Sequence, residues 1–412
     1  MPQIRLFFVA FVLACSGIAA ASPAQDLFDQ AAYLLIVNYG GFSSASPKAL
    51  EVQFQLELDK ACAAQAETCP YTLAHPVIAR MLKALQDGHS RFLPAESLQG
   101  LNSVLRGTTA SGKSTGLISV AAKDAVSRLV LDVFPQSPAA RAGLRRGDRI
   151  VLVNGRTVAS FGDQIDAVLA FGQNDQAIQV TLLRAGQTFN VTLEPEGLPA
   201  LPNPSLLVRP DRIAVLRIPT FLVQNLGEQV EALLRDAKAQ NARGLILDLR
   251  DNGGGLLTEY VRVAGAFIDD PGRMFDSGNP LLKFNLQFRD SQVSRGNLEV
   301  AKPNPLRWVG PVVILVNADS ASAAEFTTHD LQRYAKATVI GEGTYGVGNT
   351  MTTTFTLEDK SGLLITLAKA LHPDGTPYPE RIAPDIAVPD DLEAINQTGR
   401  DAVLERALEV LK

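Results

Sequence analysis

The chain has 412 residues, 46% of them hydrophobic and 20% charged, which is too long for one hydrophobic core and ordinary for a globular protein of two or three domains. The formal charge of -5, from 38 basic and 43 acidic side chains, comes with no Lys/Arg run to grip phosphates, which excludes nucleic acid as a partner. Past the first 21 residues no stretch is long and apolar enough to span a bilayer.

Residues 1–21 read as an export signal. MPQIR carries one positive charge, LFFVAFVLA is a short apolar run, and Ala19, Ala20 and Ala21 are small residues suited to cleavage. This predicts a periplasmic or secreted protein. A competing reading is a lipoprotein signal, because Val12-Leu13-Ala14-Cys15 loosely resembles a lipobox with anchoring at Cys15. Residues 26–100 show apolar side chains at three- and four-residue spacing and predict a mostly helical domain. Within it Cys62 and Cys69 form an even pair that, in an oxidising compartment, predicts a local disulfide pinning a loop between two helices. No Cys or His pair has metal-ligand spacing, so neither a metal nor a cofactor is expected.

Residues 103–197 alternate turn chemistry with short apolar runs, and SPAARAGLRRGD at 137–148 resembles the second half of a PDZ domain. Strands are expected at 150–153, 178–183 and 189–193, and a helix near 162–170. Gly116, Leu117 and Ile118 sit where PDZ modules hold a peptide carboxylate, which implies a peptide or protein substrate captured in the groove; the alternative is a rigid spacer.

Residues 200–390 carry two strand-to-loop segments. GLILDLRDNGGG, 244–255, is a buried strand running into three glycines whose amides are open to a ligand. PVVILVNADSASAAE, 311–325, is a second buried strand leading through serines into a helix, with Asp319 or Ser320 as the expected cap. Ser322 would then meet the free N–H groups of the first turn, where a developing oxyanion is favoured. Residues 391–412 read as one terminal helix, with the core or a second subunit of a homo-oligomer as its partner.

The order of these segments resembles the carboxyl-terminal processing peptidases, the S41 serine peptidases. The matches are Asp248 to Gly255, Ser320 to Glu325, and Leu85, Asp87, His89, Ser90, Phe92 and Leu93 at the end of the helical domain. The resemblance implies an α/β, crotonase- or ClpP-like core with an N-terminal helical region and an inserted PDZ domain. It implies Ser322 as nucleophile, and an oxyanion hole from Ala323 and one of Gly253 to Gly255, with Gly254 preferred.

One departure limits the analogy. The lysine that activates the serine in lysine-dependent members is here Val347, whose alkyl side chain accepts no proton, and the family's glutamine is Met351. A tricorn-like branch uses Ser, His and Glu instead. Asp87-Gly88-His89-Ser90 has the form of its histidine segment, so His89 is the expected base and Glu380 the expected orienter. His329 is too far along the helix from Ser322, His75 precedes a proline in a loop, and His372 lies beside a Pro-Asp-Gly turn. The expectation is an exported serine endopeptidase acting near the C-termini of peptides or unfolded proteins. The alternative is an inactive pseudopeptidase binding peptide C-termini as a periplasmic adaptor.

Overall fold

A computed structural model describes residues 22–65, 67–105, 112–269, 273–277, 285–289, 292–295, 298–299 and 306–412. The expected signal and Cys15 lie outside these residues. Three helices, Pro23–Asn38, Pro47–Cys62 and Tyr71–Lys83, make the N-terminal domain. The first two begin alike: the hydroxyls of Ser22 and Ser46 accept from Gln25 N–H and Ala49 N–H, and a proline occupies the first helical position, where no N–H is missed. Leu27, Phe28, Leu35, Phe54, Leu58, Ile78 and Met81 fill the space between them. A Cys62–Cys69 disulfide ties the end of the second helix to the loop before the third. His75 is not in a loop: it lies inside the third helix, which continues through Pro76 because Ala74, Val77, Ile78 and Met81 are buried against the bundle.

The PDZ domain is an antiparallel sheet of strands Leu117–Ala121, Arg128–Val133, Arg149–Val153, Ile178–Arg184 and Gln187–Leu193 around Val130, Ile150, Val153, Ile178 and Leu182. Its helix spans Ile165–Phe171 and starts later than expected, because Gly162 takes φ 53° and ψ -137° and breaks the helical path.

In the α/β core, strands Ile213–Arg217, Gly244–Asp248, Val312–Val316 and Thr338–Gly341 run parallel in that spatial order. Their unbroken apolar runs follow from burial on both faces. Leu245, Leu247, Ile314 and Val316 pack under helices Leu226–Ala239, Leu257–Gly265 and Ala323–Tyr334, while Ile246, Val313 and Leu315 meet Val403, Ala407 and Leu411 on the other side. The core is therefore what the last helix packs on, while residues 393–396 meet the PDZ domain, where Asn396 Nδ2 donates to Leu183 O at 2.7 Å. The C-terminal segment is two helices, Leu392–Thr398 and Ala402–Val410, rather than one, because Gly399 closes the first in a left-handed cap at φ 69°.

A second sheet brings the N-terminal domain to the core. Strands Arg91–Leu93 and Thr350–Thr356 both pair antiparallel with Gly362–Leu371. The loop before Arg91 and the start of the Thr350 strand therefore converge from opposite ends of the chain.

Candidate active site

Parallel strands Gly244–Asp248 and Val312–Val316 end side by side, and polar side chains lock the loops that leave them. Asn317 Oδ1 accepts from Asp251 N–H at 2.9 Å, Ser320 Oγ donates to Leu249 O at 2.8 Å, and Ala321 N–H donates to Asn252 O at 2.8 Å. Asn252, fully buried, reaches Ile218 O through Nδ2 at 2.7 Å, so three strand ends are tied together. Behind them the carboxylate of Asp248 lies between Arg250 and Arg217. Burial would raise its pKa, but the two guanidinium groups outweigh that and hold it well below the usual range.

Ser322 stands at the turn from loop to helix. It is itself the N-cap of Ala323–Tyr334, not a first-turn residue, with φ 53° and ψ -114°. This is a conformation that costs a non-glycine residue about 1–3 kcal/mol and persists only where neighbours impose it. Glu325 imposes it. Its fully buried carboxylate accepts from Ser322 N–H at 2.8 Å, Val347 N–H at 3.0 Å, Gly346 N–H at 2.8 Å and Thr344 Oγ1 at 2.6 Å. Burial raises the Glu325 pKa while the four hydrogen bonds draw it down. A single side chain therefore holds both the serine turn and the segment in which Val347 lies.

Gly254 packs directly against this turn at φ 89°, where a Cβ would lie 2.7 Å from Ala321 O and 2.8 Å from Ser322 Cβ. Its amide, the preferred oxyanion donor from sequence, is already spent: Gly254 N–H donates to Asn252 Oδ1 at 2.9 Å, and Gly254 O accepts from Phe221 N–H at 2.9 Å. Gly253 and Gly255 line the cavity instead, and neither their N–H groups nor that of Ala323 has a partner among the described residues. The amides open to the cavity are thus those of Ala323, Gly253 and Gly255.

His89 and Ser322 line one cavity of about 470 Å³, together with Val347 and Met351. No hydrogen bond joins the imidazole to Ser322 among the described residues. The histidine loop is set by Asp87, whose carboxylate accepts from His89 N–H at 3.1 Å, Ser90 N–H at 2.8 Å and Ser90 Oγ at 2.8 Å. His89 is 7% exposed, and its Nδ1 lies 2.9 Å from Thr350 Oγ1. Burial lowers its pKa to about 4; Asp87 opposes that shift and Arg91 adds to it. Val347 is buried beside this loop, with its Cγ1 3.5 Å from where a Cβ on Gly88 would be.

Glu380 is not brought to the imidazole. It is exposed, its backbone carbonyl accepts from Gly348 N–H at 2.9 Å, and Thr350 takes the position beside Nδ1 that a triad carboxylate would hold. Nothing in the sequence marked Thr350, which is 261 residues from His89. The other histidines lie elsewhere: His75 pairs with Asp359 at 2.6 Å, and His329 and His372 face each other at 3.3 Å. In the PDZ loop, Gly116 N–H donates to Ser114 Oγ at 3.0 Å and Leu117 N–H to Thr115 Oγ1 at 3.3 Å, so two of the amides expected to hold a carboxylate are internally satisfied, while Ile118 is 37% exposed.

A serine-bearing turn between a parallel strand and a helix, glycine amides beside it and a PDZ module make up the arrangement of a serine-peptidase scaffold. Residues 212–388 match the profile of peptidase family S41, and residues 129–184 that of a PDZ domain. A chloroplastic C-terminal processing peptidase of Tetradesmus obliquus is 30% identical over 351 residues, covering 80% of this chain and 72% of that protein. A probable CtpA-like serine protease of Staphylococcus aureus (strain N315) is 31% identical over 322 residues, covering 77% of this chain and 60% of its own. Among solved structures, a photosystem II D1 C-terminal processing protease superposes with TM-score 0.51 at 24% identity, over 93% of this chain and 99% of that one. A putative S41 protease from Bacteroides fragilis NCTC 9343 gives 0.56 at 16%, over 93% and 96%. The chain belongs to peptidase family S41.

Two outcomes follow from this geometry. Glu325→Gln turns an NH₂ group toward donors that need an acceptor, which leaves a buried donor unpaired; urea unfolding should show a loss of about 1–3 kcal/mol, and unchanged stability would refute the anchoring role. His89, depressed to about 4 when folded, takes up its proton near 6.5 when unfolded. Its stabilising contribution is full above pH 6.5 and is lost as pH falls toward 4, on the order of 3 kcal/mol, and His89→Gln should flatten that part of the stability profile.

Proposed function

We propose that this chain is an exported serine endopeptidase that hydrolyses peptide bonds in peptides or unfolded proteins near their C-termini, with Ser322 as nucleophile and His89 as base. The observation that carries this reading is the shared cavity: His89 is the one imidazole lining it among the described residues, and it does so beside Val347, where no amine is available. With its proton on Nδ1 toward Thr350 Oγ1, the imidazole keeps the Nε2 lone pair to accept from Ser322 Oγ as that oxygen attacks a carbonyl. The charge that develops on the carbonyl oxygen is met by Ala323 N–H and a glycine amide at a helix N-terminus. The imidazolium then returns its proton to the leaving amine. Action near C-termini is carried over from the names of the similar peptidases and from the PDZ groove. Export is supported by the leader-like first 21 residues and by the Cys62–Cys69 disulfide, which suits an oxidising compartment.

A second reading has an observation in its favour. His89 has no carboxylate on Nδ1, and burial pulls it to about 4, well under the value that suits a base near neutral pH. An imidazolium left so poorly stabilised fits a pseudopeptidase that binds peptides without cleaving them.

Reaction with a fluorophosphonate probe, read by intact mass, separates the two. The endopeptidase reading expects one adduct on the wild-type protein, none on Ser322→Ala, and at least a hundredfold slower labelling of His89→Ala. Folded wild-type protein that takes no label would overturn the endopeptidase reading and favour the binding role.

A further inference from the structure

Among the described residues that line the cavity of Ser322 and His89, Arg91 carries the one permanent charge. Leu101, Leu105, Leu222, Leu256, Met351 and Leu364 give the cavity apolar walls, and most of the remainder is glycine and hydroxyl side chains. Arg91 enters from strand Arg91–Leu93, paired opposite Leu364 and two residues beyond His89. Arg91 is exposed, and its guanidinium has no ion-pair partner among the described residues. Asp87, the carboxylate nearest in sequence, is turned inward onto His89 N–H and the Ser90 amide and hydroxyl. A fork of N–H donors left unpaired in a largely apolar cleft is a receptor for a carboxylate, which it matches in shape and charge. Its charge also opposes protonation of His89, and an anion bound there would relieve that opposition.

We propose that Arg91 is an anion subsite of the catalytic cavity, selecting peptides that place a carboxylate within a few residues of the scissile bond. Two sources have this chemistry, the C-terminal α-carboxylate and an Asp or Glu side chain. The inference rests on the cavity being a peptide site, as the endopeptidase reading requires, and it assigns Arg91 to specificity rather than to chemistry.

The test uses Ser322→Ala protein, so that binding is read without turnover, and a benzophenone-bearing tetrapeptide. The peptide is made as free acid, as amide, and as amide with Asp in place of Asn. Crosslinks to cavity-lining residues 351–354 are quantified by mass spectrometry against peptide concentration, so peptide held in the PDZ groove does not contribute. The expected result is half-saturation about two- to fivefold lower for one carboxylate-bearing peptide than for its neutral partner. Preference for the free acid identifies the chain terminus as the source, and preference for the Asp peptide identifies a side chain. The ratio should fall toward one in Arg91→Gln and persist in Arg91→Lys. Equal half-saturation for all three peptides, a ratio that survives Arg91→Gln, or no cavity crosslink at all would overturn the proposal. Fluorophosphonate labelling of the wild-type protein reports separately on Ser322, so loss of the hydrolytic reading is distinguishable from loss of the subsite.

Discussion

The Glu325 carboxylate is the interaction on which the site depends. It is fully buried and meets four donors, one from the Ser322 turn and three from residues 344–347. Removing a carboxylate from water is unfavourable by several kcal/mol unless its lone pairs are all satisfied, and here they are. What that arrangement secures is a serine at φ 53° on the end of a parallel strand, a geometry the backbone would otherwise relax. It also fixes Val347 as a wall beside the histidine loop. The Ser322 turn and the segment that carries Val347 thus share one anchor.

Around that anchor the charges form a connected set. Arg250 joins Asp248, Asp390 and Asp401, and Arg217 joins Asp248 and, in the PDZ strand Arg128–Val133, Asp132. Arg146 of the PDZ domain pairs with Asp251 and Asp390. Asp248, Arg250 and Asp251, which immediately precede the glycine cluster, sit at the centre of these contacts, so the PDZ domain, the C-terminal helices and the loop that frames Ser322 are held by the same side chains. Removing any one partner would leave a buried charge exposed to its own desolvation cost, which gives the assembly a single arrangement rather than several.

Much of this was legible in the sequence, for physical reasons that can be named. GLILD and VVILV read as strands because burial on both faces demands unbroken β-branched and leucine runs. The family was legible in Asp248 to Gly255 and Ser320 to Glu325, where backbone conformation restricts the residue types. Less visible were contacts whose partners are remote or whose groups are backbone. Thr350 reaches His89 only because two strands far apart in sequence pair with Gly362–Leu371, and a threonine carries no signal of that role. That the Gly254 amide is taken by Asn252 was not legible, because that contact is set by one side-chain rotamer. Glu380 was the only carboxylate near the expected motif, yet sequence proximity to a motif does not fix on which side of the loop a side chain emerges. Gly399 was a readable helix stop, since a glycine after a short amphipathic run favours the left-handed cap.

The central claim is that an imidazole serves Ser322 where the family's lysine is absent. The most direct measurement is the second-order rate of fluorophosphonate labelling from pH 3.5 to 9, set beside the NMR titration of the His89 ring. If His89 is the base, the rate rises with the loss of one proton, at an apparent pKa well below 6.5 and near 4, coincident with the His89 titration, and is level through neutral pH. A rate still climbing above pH 8, or one that does not follow the His89 ring, would contradict it.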